Sequence, residues 1–259
     1  MENRTQAKHF YRCFTFFILL LAACSALQTE APPPTPQPIK VAMPPELQPL
    51  REALYTCAAV QPHIALIVDE APALSAFDRD ADLSLRLSIP PEGSWYAAPL
   101  AWEKISVILH PSNPVRSLDL ESLHALFTGQ ILNWAEAGGE DQDVQVWVLS
   151  PDHTTRLVFD AAILQETPVI PDARVAPDPK IMQDAVANDT GAIGYLPGGW
   201  LTSQMHAVAL SKTLEAGLRL PVLGLAPMEP QGVLREFFLC LQNGEGQAEI
   251  LGHYQAYKQ

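Results

Sequence analysis

From Val41 onward the apolar positions switch between a helical spacing and a strand spacing. Over 45–59, Leu47, Leu50, Leu54 and Cys57 recur at intervals of three and four, which predicts an amphipathic helix. Ile64-Ala65-Leu66-Ile67-Val68 is a short unbroken apolar run of the buried-strand kind. Leu83-Ser84-Leu85-Arg86-Leu87-Ser88 alternates with a period of two. Ile105-Ser106-Val107-Ile108-Leu109 predicts another strand, stopped by the breaker-rich His110-Pro111-Ser112-Asn113-Pro114. Asp119 then reads as an N-cap for a helix with Leu120, Leu123, Leu126 and Phe127 on one face. Glu121 sits in its first turn and Gly129 closes it. A strand over 144–149 follows, then the turn Ser150-Pro151-Asp152, a helix over 153–164, and a strand over 192–196 entered through Asn188-Asp189-Thr190-Gly191. The pattern closes with a helix over 231–243 and another from Gly246 on. Strands alternating with helices predict an α/β architecture, and the lack of a long internal period excludes a solenoid.

Ahead of this body the pattern changes character. Residues 1–12 carry Arg4, Lys8 and Arg12 against Glu2, and an apolar run from Phe14 to Ala23 ends at Cys24. A basic segment followed by a short apolar core is the layout of a secretory leader, since the core is too short for a stable span. Leu21-Ala22-Ala23-Cys24 resembles the bacterial lipobox, which makes Cys24 the expected lipidation site and lipid the expected membrane anchor. No later stretch reaches the roughly 18 apolar residues that a spanning helix needs. Ala31-Pro32-Pro33-Pro34-Thr35-Pro36-Gln37-Pro38 has few amide donors and favours extended backbone, so 24–40 reads as a semi-rigid tether.

Charge narrows the function classes. The 259 residues carry 29 acidic and 16 basic side chains, a formal charge of −13. Loss of 1–23 would take three cations and one anion with it and bring the charge to −15. Such a balance argues against nucleic-acid binding, which needs clustered cations. Of four cysteines, Cys13 would leave with the leader and Cys24 would carry lipid. Cys57 and Cys240 remain, either as a pair or as two small buried hydrophobes. No Gly-x-Ser-x-Gly, His-Glu-x-x-His, Walker loop or Cys-x-x-Cys is present, and the seven histidines show no metal-ligand spacing. The expectation is therefore a non-enzyme without cofactor or metal. Trp95, Tyr96 and Trp134 read as core or surface aromatics more readily than as the lining of a cleft.

Three phrases carry a family likeness: His110-Pro111-Ser112-Asn113-Pro114-Val115 with Leu118-Asp119-Leu120-Glu121-Ser122-Leu123; Phe127-Thr128-Gly129-Gln130-Ile131-Leu132-Asn133-Trp134 with Gly138-Gly139; and Gly191-Ala192-Ile193-Gly194-Tyr195. In this order they resemble the phosphate-binding components of high-affinity phosphate ABC transporters. Leu234-Arg235-Glu236-Phe237-Phe238 with Gly246-Gln247-Ala248 is similar to the closing helix and turn of that family.

The resemblance implies a type II periplasmic-binding-protein fold, two α/β lobes joined by two crossing hinge strands. Lobe 1 would combine 41–111 with 206–259, and lobe 2 would be 112–205. Both remaining cysteines then fall in lobe 1, where a Cys57–Cys240 disulfide becomes possible. In the family the lobe 2 anion site is a helix start, whose free amides donate hydrogen bonds to oxyanions. The matching residues are Asp152, His153, Thr154, Thr155 and Arg156, with Ser88 the one counterpart surviving from lobe 1. His153 and Thr154 replace the family's Ser and Gly, Leu149 stands where the family has an Arg, and Val41-Ala42-Met43-Pro44 replaces its Gly-Ser-Ser/Thr loop. The implied role is a monomeric, lipid-anchored solute-binding protein on the extracytoplasmic side of a bacterial membrane. Its partners would be a small ligand, phosphate or another oxyanion, and ABC permease subunits. The alternative is a surface lipoprotein acting as a sensor or interaction module on the same fold, with a degenerate ligand site.

Overall fold

A computed structural model describes residues 35–70, 80–89 and 94–257. The predicted leader 1–23, Cys24 and the tether as far as Pro34 lie outside the described residues. All elements below belong to the unit that begins at Pro36. In chain order the strands are β1 (Gln37–Met43), β2 (Ile64–Glu70), β3 (Leu83–Arg86), β4 (Tyr96–Leu109), β5 (Gln145–Leu149), β6 (Arg174–Ala176), β7 (Ala192–Pro197), β8 (His206–Ala207), β9 (Arg219–Ala226) and β10 (Gln255–Ala256). The helices are α1 (Arg51–Ala59), α2 (Leu120–Thr128), α3 (Thr154–Phe159), α4 (Pro179–Asn188), α5 (Lys212–Gly217), α6 (Gly232–Asn243) and α7 (Glu245–His253).

The described strands form one sheet in the order β2-β1-β3-β9-β4-β7-β5-β6, with β8 and β10 also on β4. β4 organises it. Its first half pairs antiparallel with β9 as far as Lys104↔Arg219, and its second half pairs antiparallel with β7 from Ile105↔Pro197. One strand therefore carries the chain from one set of neighbours to another, and Glu103 sits just before the changeover. β1–β2 and β5–β7 are parallel, so their connections run through helices.

Several elements follow their sequence signals closely. α2 is capped at its N-terminus by Asp119, whose Oδ1 accepts the Ser122 amide at 2.8 Å, and at its C-terminus by Gly129 at φ 78°. The helix expected over 45–59 begins instead as a 3-10 turn over Pro45–Leu50 and becomes α-helical only at Arg51. Pro45 and Pro49 remove amide donors from that turn, which holds it tight and irregular. Similarly, the helix expected over 153–164 passes from α3 into a π turn over Asp160–Leu164. β1 takes in Gln37–Lys40, four residues read from sequence as tether. Pro38 is tolerated there because β3 pairs only with Val41 and Ala42, leaving that flank of β1 without a ladder to break.

The likeness-bearing phrases turn out to be packing residues. Trp134 is buried and donates its Nε1–H to the Gly191 carbonyl at 2.9 Å, tying two of the phrases together. Phe127, Phe159 and Tyr195 stack in one buried cluster, with 3.7 Å between the Phe159 and Tyr195 ring centres. Asn113 is buried and uses Oδ1 to accept the Val115 amide, which fixes the turn after β4. On the other side of the sheet order, Cys57 of α1 and Cys240 of α6 form a disulfide, their Cα atoms 5.8 Å apart. Gly246 packs on that bond; a Cβ there would collide with Cys57 Sγ.

Candidate functional site

The expected site residues lie just beyond the carboxyl end of β5, where the chain turns through Ser150-Pro151-Asp152 into α3. His153 is the N-cap residue, with extended backbone and no capping hydrogen bond from its side chain. His153, Thr154 and Thr155 are all buried. The residue they meet is Glu46, from the 3-10 turn after β1, which is 0 % exposed. Its Oε1 accepts the Thr155 amide at 2.7 Å, and its Oε2 stands 3.6 Å from His153 Nδ1, an ion-pair separation. From the end of β7, Trp200 donates Nε1–H to the Glu46 backbone carbonyl at 2.9 Å. The ends of β1, β5 and β7 thus converge on one internal carboxylate.

The imidazole is set by its other nitrogen. His153 Nε2 lies 2.9 Å from the Pro177 carbonyl, which can only accept, so Nε2 carries a hydrogen. A neutral ring would then present the Nδ1 lone pair to Glu46, whereas a protonated ring presents an N–H. Burial pulls the His153 pKa down, but Glu46, the Pro177 carbonyl and Asp152 outweigh it and hold it above the ordinary histidine value. Among the described residues, Glu46 Oε2, His153 Nδ1 and Thr155 Oγ1 are buried and accept or donate no hydrogen bond.

The other expected residues are placed differently. Asp152 is exposed and accepts the Ser150 hydroxyl at 2.6 Å, which lowers its pKa. Arg156 is turned away from Glu46: Nε binds Asp160 at 2.6 Å and a terminal nitrogen donates to the Leu149 carbonyl at 2.9 Å. Ser88 is exposed beyond the end of β3. The structure therefore brings His153 and Thr155 together at one carboxylate, and leaves Arg156 as a brace inside its own segment.

A second buried carboxylate lies close by. Glu103 is 1 % exposed, and its Oε1 accepts amides from Gly198 at 2.6 Å and Lys104 at 2.7 Å. Burial dominates and pushes its pKa up to about 8, against the pull of the amides and with a further push from Glu46. Glu103 Oε2 and the Tyr254 hydroxyl are both buried without a hydrogen bond among the described residues. The Gly198-Gly199 step fits between them. A Cβ on Gly198 would stand 3.1 Å from Glu103 Oε1, and one on Gly199 2.9 Å from the Tyr254 hydroxyl.

Beside Trp200 opens a cavity of about 640 Å³ lined by Gln48, Arg51, Lys180, Gln183, Trp200 and Thr202 among others. That volume falls within the range of small-molecule sites. Arg51 pairs with Glu70 and Lys180 with Asp184 at its rim. Among the described residues no cluster of three or more His, Cys, Asp or Glu could hold a metal, and no helix is long and apolar enough to cross a membrane.

The sequence profile of the PBP superfamily domain matches residues 92–234, more than half of the chain. The chain belongs to the PBP superfamily. Within this superfamily it is 32 % identical over 100 residues to the phosphate-binding protein PstS of Bacillus subtilis strain 168. That match spans 38 % of this chain and about a third (32 %) of the length of PstS. Among solved structures, a substrate-binding protein of Clostridium perfringens assigned to a phosphate ABC transporter, solved with bound phosphate, superposes with a TM-score of 0.75. The two share 19 % identity over 86 % of this chain and 100 % of that one. An ABC-type phosphate transport receptor from Vibrio cholerae gives 0.65 at 19 % identity, covering 85 % of this chain and 100 % of its own. The PBP chain described here thus has the type II periplasmic-binding-protein fold.

Glu46 and Glu103 are the residues that sequence reading passed over. Both carried a signal. Glu46 shares the interval of four with Leu50 and Leu54, which puts it on the apolar face. Glu103 alternates in step with Ala101, Ile105 and Val107, all buried.

Proposed function

We propose that the chain is an extracytoplasmic solute-binding protein, held to the membrane by lipid on Cys24, that takes a small anionic ligand between two lobes and hands it to an ABC permease. The lobes would be 41–111 with 206–259, and 112–205. Closure between lobes favours the bound state because the ligand gains contacts only when both are in place. One observation carries the reading: the Thr155 amide and the His153 ring, at the start of the segment after β5, both face a carboxylate. In α/β sheets this is where ligands bind, outside the carboxyl ends of strands. The kinship with PstS and with the phosphate-transport structures supports the same class of ligand. Lobe assignment, lipid anchoring and the monomeric state are part of the proposal.

The test is a ligand panel on the purified chain, followed by thermal unfolding with phosphate, sulfate, molybdate, tungstate and small carboxylates. A ligand present at about 100 times its Kd adds about 2.7 kcal/mol of stability. A shift with at least one solute is expected; no shift with any at millimolar concentration overturns the reading. Cys24→Ser should release the protein from the membrane fraction of expressing cells.

A further inference from the structure

We propose that Glu46 is a tethered surrogate ligand, a specificity-determining residue that fills the oxyanion position at His153 and Thr155 and sets the protein against free phosphate. This rests on the reading of 153–155 as the anion-accepting position. Three features of the structure support it. The Glu46 side chain is fully buried, so it is committed to this contact rather than dangling near it. It accepts a main-chain amide through one oxygen and stands at ion-pair distance, 3.6 Å, from an imidazole through the other, an amide and a potential cation of the kind that a bound oxyanion would need. Finally, Thr155 Oγ1 is buried and without a hydrogen bond among the described residues, a hydroxyl that Glu46 does not use.

Tethering gives the carboxylate a standing advantage. A side chain that is part of the chain loses no translational freedom on docking, and acts at an effective concentration on the order of millimolar or above. A phosphate would have to displace it and then share the pocket with a second negative charge. The Glu46 carboxylate stands 3.6 Å from His153 Nδ1, and it lies close enough to Glu103 on β4 to disfavour ionisation there. The end of β1 and the residue after it offer Val41, Ala42, Met43 and Pro44, with no hydroxyl that would hold a displaced phosphate.

The experiment is isothermal titration of inorganic phosphate into the wild-type chain and into Glu46→Ala, with circular dichroism as a check on folding. Phosphate should bind Glu46→Ala at least tenfold more tightly than the wild type. Equal affinity for the two proteins overturns the surrogate while leaving the solute-binding reading intact. Absence of phosphate binding to a folded Glu46→Ala also overturns it, and the rest of the ligand panel then decides the broader reading separately. Should Glu46→Ala fail to fold, Glu46→Gln keeps an acceptor for the Thr155 amide and removes the charge. It should bind phosphate at least threefold more tightly than wild type, and no gain would again overturn the proposal. Amide exchange at Thr155 gives a ligand-free check: it should speed up at least tenfold in Glu46→Ala, and unchanged exchange counts against the contact itself.

Discussion

Glu46 and Glu103 are buried to nearly the same degree, yet they live in different chemistry. Glu46 spreads its two oxygens over an amide and an imidazole contributed by a segment more than 100 residues away. Glu103 concentrates two amides on one oxygen, leaves the other without a partner among the described residues, and faces a tyrosine hydroxyl rather than a cation. The first arrangement is a pairing and the second is a carboxyl kept protonated near neutral pH. The difference teaches that burial alone does not decide what an acid does. The count and charge of the groups that turn toward it do.

The sharpest way to break the comparison is to remove the proton from the second site. Glu103 has a folded pKa near 8 against 4.5 when free. The folded state therefore holds a proton that the unfolded chain releases, and stability falls as pH rises from about 4.5 to about 8. The difference between 4.5 and about 8 corresponds to roughly 5 kcal/mol. Glu103→Gln should lose most of that slope, so that it outlasts the wild type in thermal melts at pH 8 but not at pH 5. Parallel profiles would show that Glu103 ionises freely.

His153 gives the next largest effect. Its pKa is raised on folding, so its contribution is present below the ordinary 6.5 and is lost as pH rises through the folded value. His153→Gln should cost roughly 1–3 kcal/mol at pH 6 and less at pH 8. In an NMR titration, Glu46→Gln should lower the His153 pKa; an unmoved value would mean that Asp152 and the Pro177 carbonyl suffice. Arg156→Ala follows, at about 1–2 kcal/mol in the ligand-free protein, because it breaks the bonds to Asp160 and to the Leu149 carbonyl. A melt unchanged by that substitution would return Arg156 to the ligand. Ser88→Ala, at an exposed position, should stay within about 0.5 kcal/mol.

The parts of the molecule that were legible in the sequence are those governed by local rules. The caps of α2 at Asp119 and Gly129 announce themselves within ten residues, and β5 and β7 stand out as apolar runs. β9 does not, because Pro221 and Gly224 read as breakers; the sheet accepts them, and Gly224 leaves room for the ring of Phe238. His153 and Thr155 were named only through the family resemblance; their structural partner Glu46 is 109 residues away from Thr155, and no local pattern couples the two. The family phrases also mislead in an instructive way. Trp134, Gly191 and Tyr195 are recognisable because the core needs them, so they report the fold faithfully and say nothing of what sits beside Thr155.

The Cys57–Cys240 bond has a consequence for the order of events during biosynthesis. At the usual pace of roughly 5–20 residues per second, 183 residues separate the two thiols by about 10–40 s of synthesis. Cys57 must pass that interval reduced, or capped, while the sheet between it and its partner is still being made. The cross-link is therefore a late seal, and an unpaired Cys57 marks any chain whose C-terminal helices have yet to arrive.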